Sequence, residues 1–241
     1  TIVPTSDTFQ FDIDGKTLTG IMGSTDGVLA NLGAGVIHNN EAVVTAGTSA
    51  AVRMTATEPV FDPEQRVWCY ILDEDYYVLG EATNGAGLLI KWLADIFNYD
   101  REQDLDLDNI PEIPYAGNDI IFVPTLMGER GPNYNESLRG LCYGLSLNHS
   151  RKDIVTAFYE SIALFIKMVY EDVIRVREEK IDSKIMTGGL GLSEPFSQLL
   201  SYLIGEINYL PGHSQNTAIG AAMMGLKIIN GVSYQKQVEY L

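Results

Sequence analysis

The sequence predicts an α/β domain, and two features of the chain carry that prediction. Tight turns and alternating apolar residues fill roughly the first eighty residues, a pattern typical of β-hairpins. Farther along, apolar residues recur at helical spacing, and the helices that they predict alternate with short apolar runs typical of buried strands. Several turns at the ends of these strands consist mainly of Gly, Ser and Thr. Ligands of α/β folds bind at strand ends, so these turns mark the candidate site.

Three strand pairs are predicted in the first part of the chain. Each consists of two runs rich in β-branched or aromatic residues around a short turn. The pairs span residues 8–22, 41–55 and 67–79, with turns at Asp14-Gly15, 47–49 and 73–75. A short helix is expected after Asp26, between the first two pairs.

Helices and short strands alternate in the rest of the chain. Ser150 and Asp153 form a capping box at the start of the longest predicted helix. An acidic, proline-containing segment at 98–119 is interpreted as a surface connection. The predicted helices span residues 88–97, 151–178, 194–204 and 217–231, and the predicted strands span 120–123, 184–187 and 207–210.

Composition and charge exclude several classes of function. The chain has 241 residues, 46% of them hydrophobic, and 16 Lys and Arg residues against 32 Asp and Glu give a net charge of −16. Such a surface repels nucleic-acid backbones and anionic lipid, so we expect neither as a partner. No apolar run is long enough to span a bilayer and no signal peptide is evident, so we expect a cytoplasmic location.

Cysteine and histidine provide no sign of a metal or redox centre. Cys69 and Cys142 belong to no CxxC motif, so we expect two reduced thiols. His38, His149 and His213 are far apart in sequence and show no metal-ligand spacing, so we expect structural or surface roles for all three.

Two turns of small residues have the composition of a phosphate-binding site. The amides and hydroxyls of Gly47-Thr48-Ser49 can donate to a phosphate, although a tight hairpin turn is the alternative. The segment 188–196 (GGLGLSEPF) follows a predicted strand and opens a helix, with Ser193 as its cap. Glu194 stands where a dinucleotide fingerprint needs its third glycine, so a nicotinamide-dependent oxidoreductase is the weaker alternative there.

Charged residues in two glycine-containing loops are further candidates. Asp26 in the segment GSTDG is suited to act as a general base or to hold Mg²⁺, and the alternative is a turn or cap residue. Glu129 and Arg130 in GERGP form either a structural ion pair or a ligand contact, with the structural role favoured.

Seven segments, taken in order, resemble the C-terminal half of the FGGY carbohydrate kinases, with bacterial gluconate kinases ahead of xylulose kinases. They span nearly the whole chain, and their order is more specific than any one of them. The segments are GSTDGVLANLG (23–33), VTAGTSAAVR (44–53), ATNGAGLLIKWL (82–93), FVPTLMGERGP (122–132), RGLCYGLSLNHSRKDIVTAFYESIAL (139–164), TGGLGLSEPFSQLLSYLIG (187–205) and NTAIGAAMMG (216–225). The resemblance implies an actin-like (ribonuclease-H-like) ATPase domain, in which helices flank a mixed sheet.

The resemblance also implies how the chain is divided. Residues 1–22 correspond to a lead-in hairpin from the end of the first FGGY domain, and residues 23–241 to the C-terminal nucleotide-binding domain. Family members have two such domains, so the N-terminal domain is an implied partner, without which this half is expected to be inactive. The sequence leaves a homodimer open.

Roles for individual residues follow from the same resemblance. Asp26 corresponds to the catalytic base, which accepts the proton of a sugar hydroxyl as that oxygen attacks the γ-phosphate of ATP. Lys91 stands where the family often has a neutral residue. Nucleotide contacts are implied at Gly47, Thr48, Ser49, Gly87, Lys91, Gly188, Gly189 and Ser193. ATP and Mg²⁺ are the implied cofactors, and no metal-binding residue is assigned.

The expected function is phosphorylation of a sugar or sugar acid, with gluconate favoured. Cationic contacts to the gluconate carboxylate are expected mostly in the N-terminal half. The alternatives are a kinase for xylulose or another pentulose, and a non-catalytic module of the same fold that senses a nucleotide or sugar.

Overall fold

The structure, a computed structural model, describes residues 3–99, 119–177, 180–210 and 215–241. In these ranges the strands are β1 (Thr8–Ile13), β2 (Lys16–Ile21), β3 (Glu41–Ala46), β4 (Ala50–Ala56), β5 (Trp68–Ile71), β6 (Tyr77–Thr83), β7 (Ile121–Val123), β8 (Leu141–Tyr143), β9 (Ser183–Thr187) and β10 (Asn208–Tyr209). The α-helices are α1 (Asp26–Gly33), α2 (Gly87–Ile96), α3 (Arg151–Arg177), α4 (Glu194–Ile204), α5 (Asn216–Asn230) and α6 (Tyr234–Val238).

A mixed six-stranded sheet forms the centre of the molecule, with strand order β10-β9-β3-β4-β6-β5. β3, β4, β6 and β5 pair antiparallel, whereas β9 and β10 continue the sheet in parallel with β3. Parallel pairing requires a crossover connection, and a helix lies between β9 and β10 in the chain. The carboxyl ends of β3 and β9 therefore lie side by side.

Helices cover both faces of this sheet. Val43, Thr45 and Arg53 point to one face, which we call the α1 face because α1 packs on it. Val44 and Met54 point to the opposite face, which we call the α3 face and which holds the largest apolar cluster together with α2, α3 and α4. Because both faces are covered, β3 and β4 are apolar almost throughout rather than alternating.

Helices α1 and α5 pack against each other through glycine. A Cβ on Gly33 would overlap the backbone at Asn216, and a Cβ on Gly220 would overlap the backbone at Leu29. The two helices therefore touch backbone to backbone, with the apolar residues around Leu32 and Met223 buried beside the contact.

The hairpin β1–β2 lies apart from the central sheet. It forms a two-stranded sheet of its own, and Phe9 and Ile13 are about half exposed on it. Its base is joined to the rest of the molecule by Thr5, whose hydroxyl donates to the carbonyl of Leu72 at 2.9 Å. The proposed boundary after residue 22 stays a prediction.

The strands and helices predicted from the sequence are present, with small changes at their ends. The capping box is confirmed, since Ser150 N–H donates to the Asp153 carboxylate at 2.7 Å and Asp153 N–H to the Ser150 hydroxyl at 3.3 Å. Cys69 and Cys142 are free thiols, as expected. His213 and nearly all of the segment 98–119 lie outside the described residues.

The sequence analysis missed β8, α6 and a 3-10 turn at Gly189–Leu192. No helix within the described ranges is both long and apolar enough to cross a bilayer.

Candidate active site

Two backbone segments meet where β3 ends. The turn 47–49 joins β3 to β4, and the first turn of α2 docks on it. The N–H of Gly87 donates to the carbonyl of Gly47 at 2.8 Å, and the N–H of Leu88 to the carbonyl of Thr48 at 3.1 Å. A Cβ on Gly87 would lie 2.6 Å from that Gly47 oxygen, so this close approach requires glycine.

The turn after β9 completes this edge of the sheet. Gly188 has φ +95°, and a Cβ there would lie 2.9 Å from the Gly47 nitrogen, so both its conformation and its surroundings require glycine. The next residue, Gly189, begins the 3-10 turn and is exposed. The Cβ positions of Gly47 and Gly189 have no atom within 4 Å, which means that both glycines border open space.

Thr48 and Ser49, in the turn at this edge, have amide and hydroxyl groups that can donate hydrogen bonds. Across the described ranges, the amides and hydroxyls of Thr48 and Ser49 donate to no protein acceptor. Thr48 is exposed and Ser49 is half-buried. Unpaired backbone and hydroxyl donors around a small turn are an arrangement that binds phosphate oxygens.

The helices beside the turn place the other predicted nucleotide contacts. Ser193 precedes α4, and its hydroxyl accepts a hydrogen bond from Phe196 N–H at 3.5 Å, which confirms the predicted cap. Lys91 lies one turn into α2, is exposed, and makes no contact with another charged group in the described ranges. The structure thus gathers Gly47, Thr48, Gly87 and Gly188 into one site, with Lys91 and Ser193 on its flanking helices.

Asp26 is the first residue of α1 and is exposed. Its Oδ1 accepts a hydrogen bond from Gly27 N–H at 2.7 Å, which fixes the carboxylate at the start of the helix. No ion pair involves Asp26 among the residues that the structure describes, and its second oxygen, Oδ2, has no hydrogen-bond partner there.

Arg53 is a residue of this site that the sequence analysis missed. Its guanidinium lies against the backbone of Gly27, where a Cβ would be 2.9 Å from Nη2. Nη1 donates to the Thr45 hydroxyl at 3.3 Å, and Thr45 accepts a further hydrogen bond from the Thr187 hydroxyl at 3.1 Å. Asp26, Arg53 and the two threonines are therefore linked on the α1 face, where β3 and β9 end.

Electrostatics at Arg53 reflect burial and two charged neighbours. Burial lowers the pKa of the guanidinium, the Asp26 carboxylate raises it, and the Arg130 guanidinium lowers it. A signal for this residue was present in the sequence, because Arg53 is the charged residue in an otherwise apolar strand, AAVRMTA.

Glu129 and Arg130 have different roles. Glu129 is buried and accepts from the Thr83 hydroxyl at 2.9 Å, from Asn84 N–H at 3.2 Å and from Arg130 N–H at 2.8 Å. It therefore ties the loop after β7 to the end of β6 through hydrogen bonds, which is a structural role, although within the described residues it forms no ion pair with Arg130. Arg130 is exposed, and its Nε donates to the Asn84 side-chain oxygen at 2.9 Å.

Residues 42–228 match the FGGY family of carbohydrate kinases, C-terminal domain. Gluconokinase from Bacillus subtilis is 29% identical over 244 residues, which cover 93% of this chain and 47% of that protein. Xylulose kinase from Staphylococcus epidermidis is 27% identical over 223 residues, which cover 90% of this chain and 43% of that protein. The chain thus spans about half the length of the curated relatives that it matches.

Solved structures of sugar kinases share the fold. Ligand-bound xylulose kinase from Lactobacillus acidophilus superposes with a TM-score of 0.85 at 24% identity, over 99% of this chain and 50% of that one. Gluconate kinase from the same species gives 0.84 at 24% identity, with the same coverage. Plasmodium falciparum glycerol kinase with ADP gives 0.78 at 23% identity, over 94% of this chain and 46% of that one.

These likenesses confirm the predicted fold class, an α/β actin-like domain with a mixed sheet and flanking helices. The family match extends from β3 into α5 and includes the glycine turns and Arg53. By this match, the chain belongs to the FGGY family of carbohydrate kinases and corresponds to its C-terminal domain.

Proposed function

We propose that this chain is the C-terminal, nucleotide-binding half of an ATP-dependent carbohydrate kinase. Residues 1–22 are then the lead-in hairpin from the N-terminal domain, and residues 23–241 the C-terminal domain. The observation that carries the proposal is the edge of the sheet where β3 and β9 end, at which Gly47 and Gly189 border open space and the donors of Thr48 and Ser49 have no partner among the described residues. Phosphoryl transfer depends mainly on positioning and on donors around the phosphates, which such an edge supplies.

The nucleotide is proposed to lie across the three glycine segments. The amides and hydroxyls of Thr48 and Ser49 donate to phosphate oxygens, while Gly188, Gly189 and Ser193 border the adenosine. Gly87 contributes through its lack of a side chain, because its N–H already donates to Gly47. Lys91, exposed in α2, is proposed to add a positive charge beside the phosphates.

Asp26 is proposed to be the catalytic base. As the acceptor hydroxyl attacks the γ-phosphorus, its proton moves to Oδ2 of Asp26, while Gly27 N–H holds Oδ1. The bond between the γ-phosphorus and the bridging oxygen of ADP breaks in the same transfer, and ADP leaves with that electron pair.

Mg²⁺ fits this site only in company with a nucleotide. Within the described ranges no group of three or more His, Cys, Asp or Glu side chains is placed to hold a metal ion. Proteins usually bind Mg²⁺ through one or two carboxylates together with substrate phosphates, so the phosphates of a bound nucleotide would supply most of its ligands here. When bound, Mg²⁺ neutralises charge that develops on the phosphate oxygens.

Gluconate is the favoured acceptor, and xylulose or another pentulose is the alternative. Gluconokinases and xylulose kinases are both among the relatives, at 29% and 27% identity respectively. A non-catalytic sensor of a nucleotide or sugar would keep the fold and the glycine turns but would have no use for a free carboxylate at Asp26.

The role of Asp26 is tested with Asp26→Asn in the complete protein that contains this chain. We expect turnover to fall by about three orders of magnitude or more, because a general base contributes roughly 10²–10⁴-fold. Calorimetric titration should show an unchanged affinity for Mg-ATP, since the amide removes proton acceptance and leaves the glycine turns intact.

Asp95→Asn is the matched control, because Asp95 is an exposed carboxylate in α2. Near-normal turnover of Asp26→Asn would contradict the assignment of the base. Mg-ATP binding by the wild-type protein without product from any sugar in a panel headed by gluconate and xylulose would favour the sensor instead.

A further inference from the structure

We propose that Arg53, with Arg130 at its rim, forms a subsite that binds an oxyanion beside Asp26. A carboxylate of a sugar-acid acceptor and the terminal phosphate of a nucleotide share this chemistry, and the structure favours the carboxylate. The identity of the ligand rests on the proposed kinase function. The subsite itself rests on the surroundings of the two guanidinium groups.

Arg53 is incompletely satisfied by the protein. Among the described residues, its buried Nε has no hydrogen-bond partner, and its one hydrogen bond to a side chain goes to the neutral hydroxyl of Thr45. The guanidinium also lies over the ring of Trp68, 5.9 Å from the centroid. A planar guanidinium with free N–H groups is the usual protein partner for a carboxylate or phosphate, which it can bind through two parallel hydrogen bonds.

Charge gives a second, independent indication. Arg53 and Arg130 are close enough for Arg130 to lower the pKa of Arg53, yet neither forms an ion pair with any carboxylate of the described residues. The Asp26 carboxylate acts on Arg53 in the opposite direction and raises its pKa. In a chain with net charge −16, these two arginines thus interact with the Asp26 and Glu129 carboxylates without forming an ion pair in the described residues.

An arginine side chain cannot avoid the cost of a buried charge by losing its proton, because its pKa stays far above neutral pH. A partly buried cation without a partner is destabilising, and an oxyanion that enters from solvent would relieve it. The local electrostatics therefore favour an anionic ligand at this position.

Position in the sheet favours the acceptor carboxylate over the nucleotide phosphate. Gly188 and the unpaired donors of the turn 47–49 lie at the end of β3 next to β9. Arg53 reaches from Thr45, near that edge, toward Trp68, and Trp68 belongs to β5 at the opposite border of the sheet. An anion bound on the Trp68 side of Arg53 would be beside Asp26 and farther from the proposed adenosine contacts.

Such a subsite would set acceptor specificity. A sugar acid brings its own negative charge to Arg53 and Arg130, whereas a neutral ketose leaves both charges unpaired. A site with charged groups that the wrong substrate cannot satisfy discriminates strongly against that substrate. Part of the carboxylate recognition would then lie in this half of the enzyme.

The test is calorimetric titration of the complete protein with D-gluconate, with neutral D-glucitol, and separately with Mg-ATP and Mg-ADP. For Arg53→Met we expect D-gluconate to bind about 10–100-fold more weakly, the range for a lost charge-assisted contact. Affinities for D-glucitol, Mg-ATP and Mg-ADP should not change. Arg53→Lys should recover part of the loss, and Arg130→Met should show a smaller loss.

Arg151→Met is the matched control. Arg151 also lies over an aromatic ring, that of Tyr99, but belongs to α3 on the other side of the sheet. It should bind every ligand like the wild type, so that loss of a stacked arginine alone is excluded as the cause.

Each other result has a defined meaning. Weaker binding of Mg-ATP but not Mg-ADP, with D-gluconate unchanged, would support the oxyanion subsite and assign it to the terminal phosphate. Unchanged binding of both anions, or a loss for every ligand that Arg53→Lys does not repair, would overturn the subsite. If Arg53→Met leaves anion binding intact while the wild-type enzyme phosphorylates gluconate, only the subsite inference fails. If the wild-type protein binds no nucleotide and makes no product, both the kinase proposal and the subsite are overturned.

Discussion

Arg53 and Glu81 lie on adjacent strands, point to opposite faces of the sheet, and carry opposite charges. In the register of β4 and β6, Arg53 pairs with Gly80 on the α1 face, and Val52 pairs with Glu81 on the α3 face. Glu81 is fully buried, and both of its carboxylate oxygens lack a hydrogen-bond partner. Burial raises the pKa of Glu81 to about 8, and the nearby Asp172 carboxylate adds to that rise.

Burial of a charge is unfavourable for both residues, and only Glu81 can become neutral by a change in protonation. A carboxyl group in an apolar environment can take up a proton and become neutral. A guanidinium stays charged, so its surroundings must supply a negative charge. The comparison teaches that the α3 face accommodates its buried ionisable group through protonation, whereas the α1 face needs an anion from outside.

The neighbours of Glu81 support this distinction. On the α3 side, Arg66 Nη1 pairs with Asp172 at 2.9 Å, and Arg175 contacts Asp62 at 3.4 Å. These arginines already have carboxylate partners, so Glu81 remains outside the ion-pair network.

The largest effect on stability is expected from a cavity in the α3 face, at the residue that follows Arg53 in β4. Met54 is fully buried in the main apolar cluster, and Met54→Ala should lower the free energy of unfolding by about 3 kcal/mol. Urea denaturation measures the change, and the Met54→Leu variant should lose far less because it conserves volume. A loss below about 1 kcal/mol for Met54→Ala would mean that this face is not the stabilising one.

A smaller and pH-dependent effect is expected for Glu81→Gln. The folded pKa of Glu81 is about 8 against an ordinary 4.5, so the folded state binds its proton more tightly than the unfolded state. Protonation of Glu81 therefore makes its full contribution to the free energy of unfolding below about pH 4.5, and this contribution is lost as the pH rises toward 8. Glu81→Gln should therefore raise Tm by several degrees at pH 8 and change it little at pH 4.5.

The exposed residue Glu206 provides the control for this measurement. Glu206→Gln should leave the dependence of Tm on pH as it is in the wild type. An identical difference in Tm between Glu81→Gln and wild type at both pH values would show that folding does not raise the pKa of Glu81.

The smallest effect is expected for the stability of Arg53→Met. Removal of a partly buried charge without an ion-pair partner should leave Tm unchanged or raise it by a few degrees in the absence of ligand. Differential scanning calorimetry measures this, with Arg66→Met as a contrast that should lower Tm because it breaks the ion pair with Asp172. A large fall in Tm for Arg53→Met would indicate a structural arginine and count against an anion subsite.

Local signals explain what the sequence could predict. The turn 47–49, the capping box at Ser150 and the cap at Ser193 are each encoded by adjacent residues, and each is present in the structure.

Features that depend on distant contacts could not be predicted in this way. β8 has three residues and exists through its pairing with β7, and α6 has five residues, too few for a clear periodic pattern. The positions of Arg53 and Glu81 depend on the register of β4 and β6, and Arg53 approaches Asp26 only because α1 packs on that face. The charged part of the candidate site is therefore a product of tertiary structure.

The glycine contact between α1 and α5 has a mechanical consequence for Asp26. Gly33 lies at the far end of α1 from Asp26, roughly 10 Å along the helix axis at 1.5 Å per residue. The backbones of α1 and α5 are in direct contact at Gly33 and Gly220. No side chains lie between them there whose rearrangement would allow α1 to slide along α5. We therefore expect α1 and α5 to move as one rigid body. A motion that displaces α5 would then displace the carboxylate of Asp26 with it.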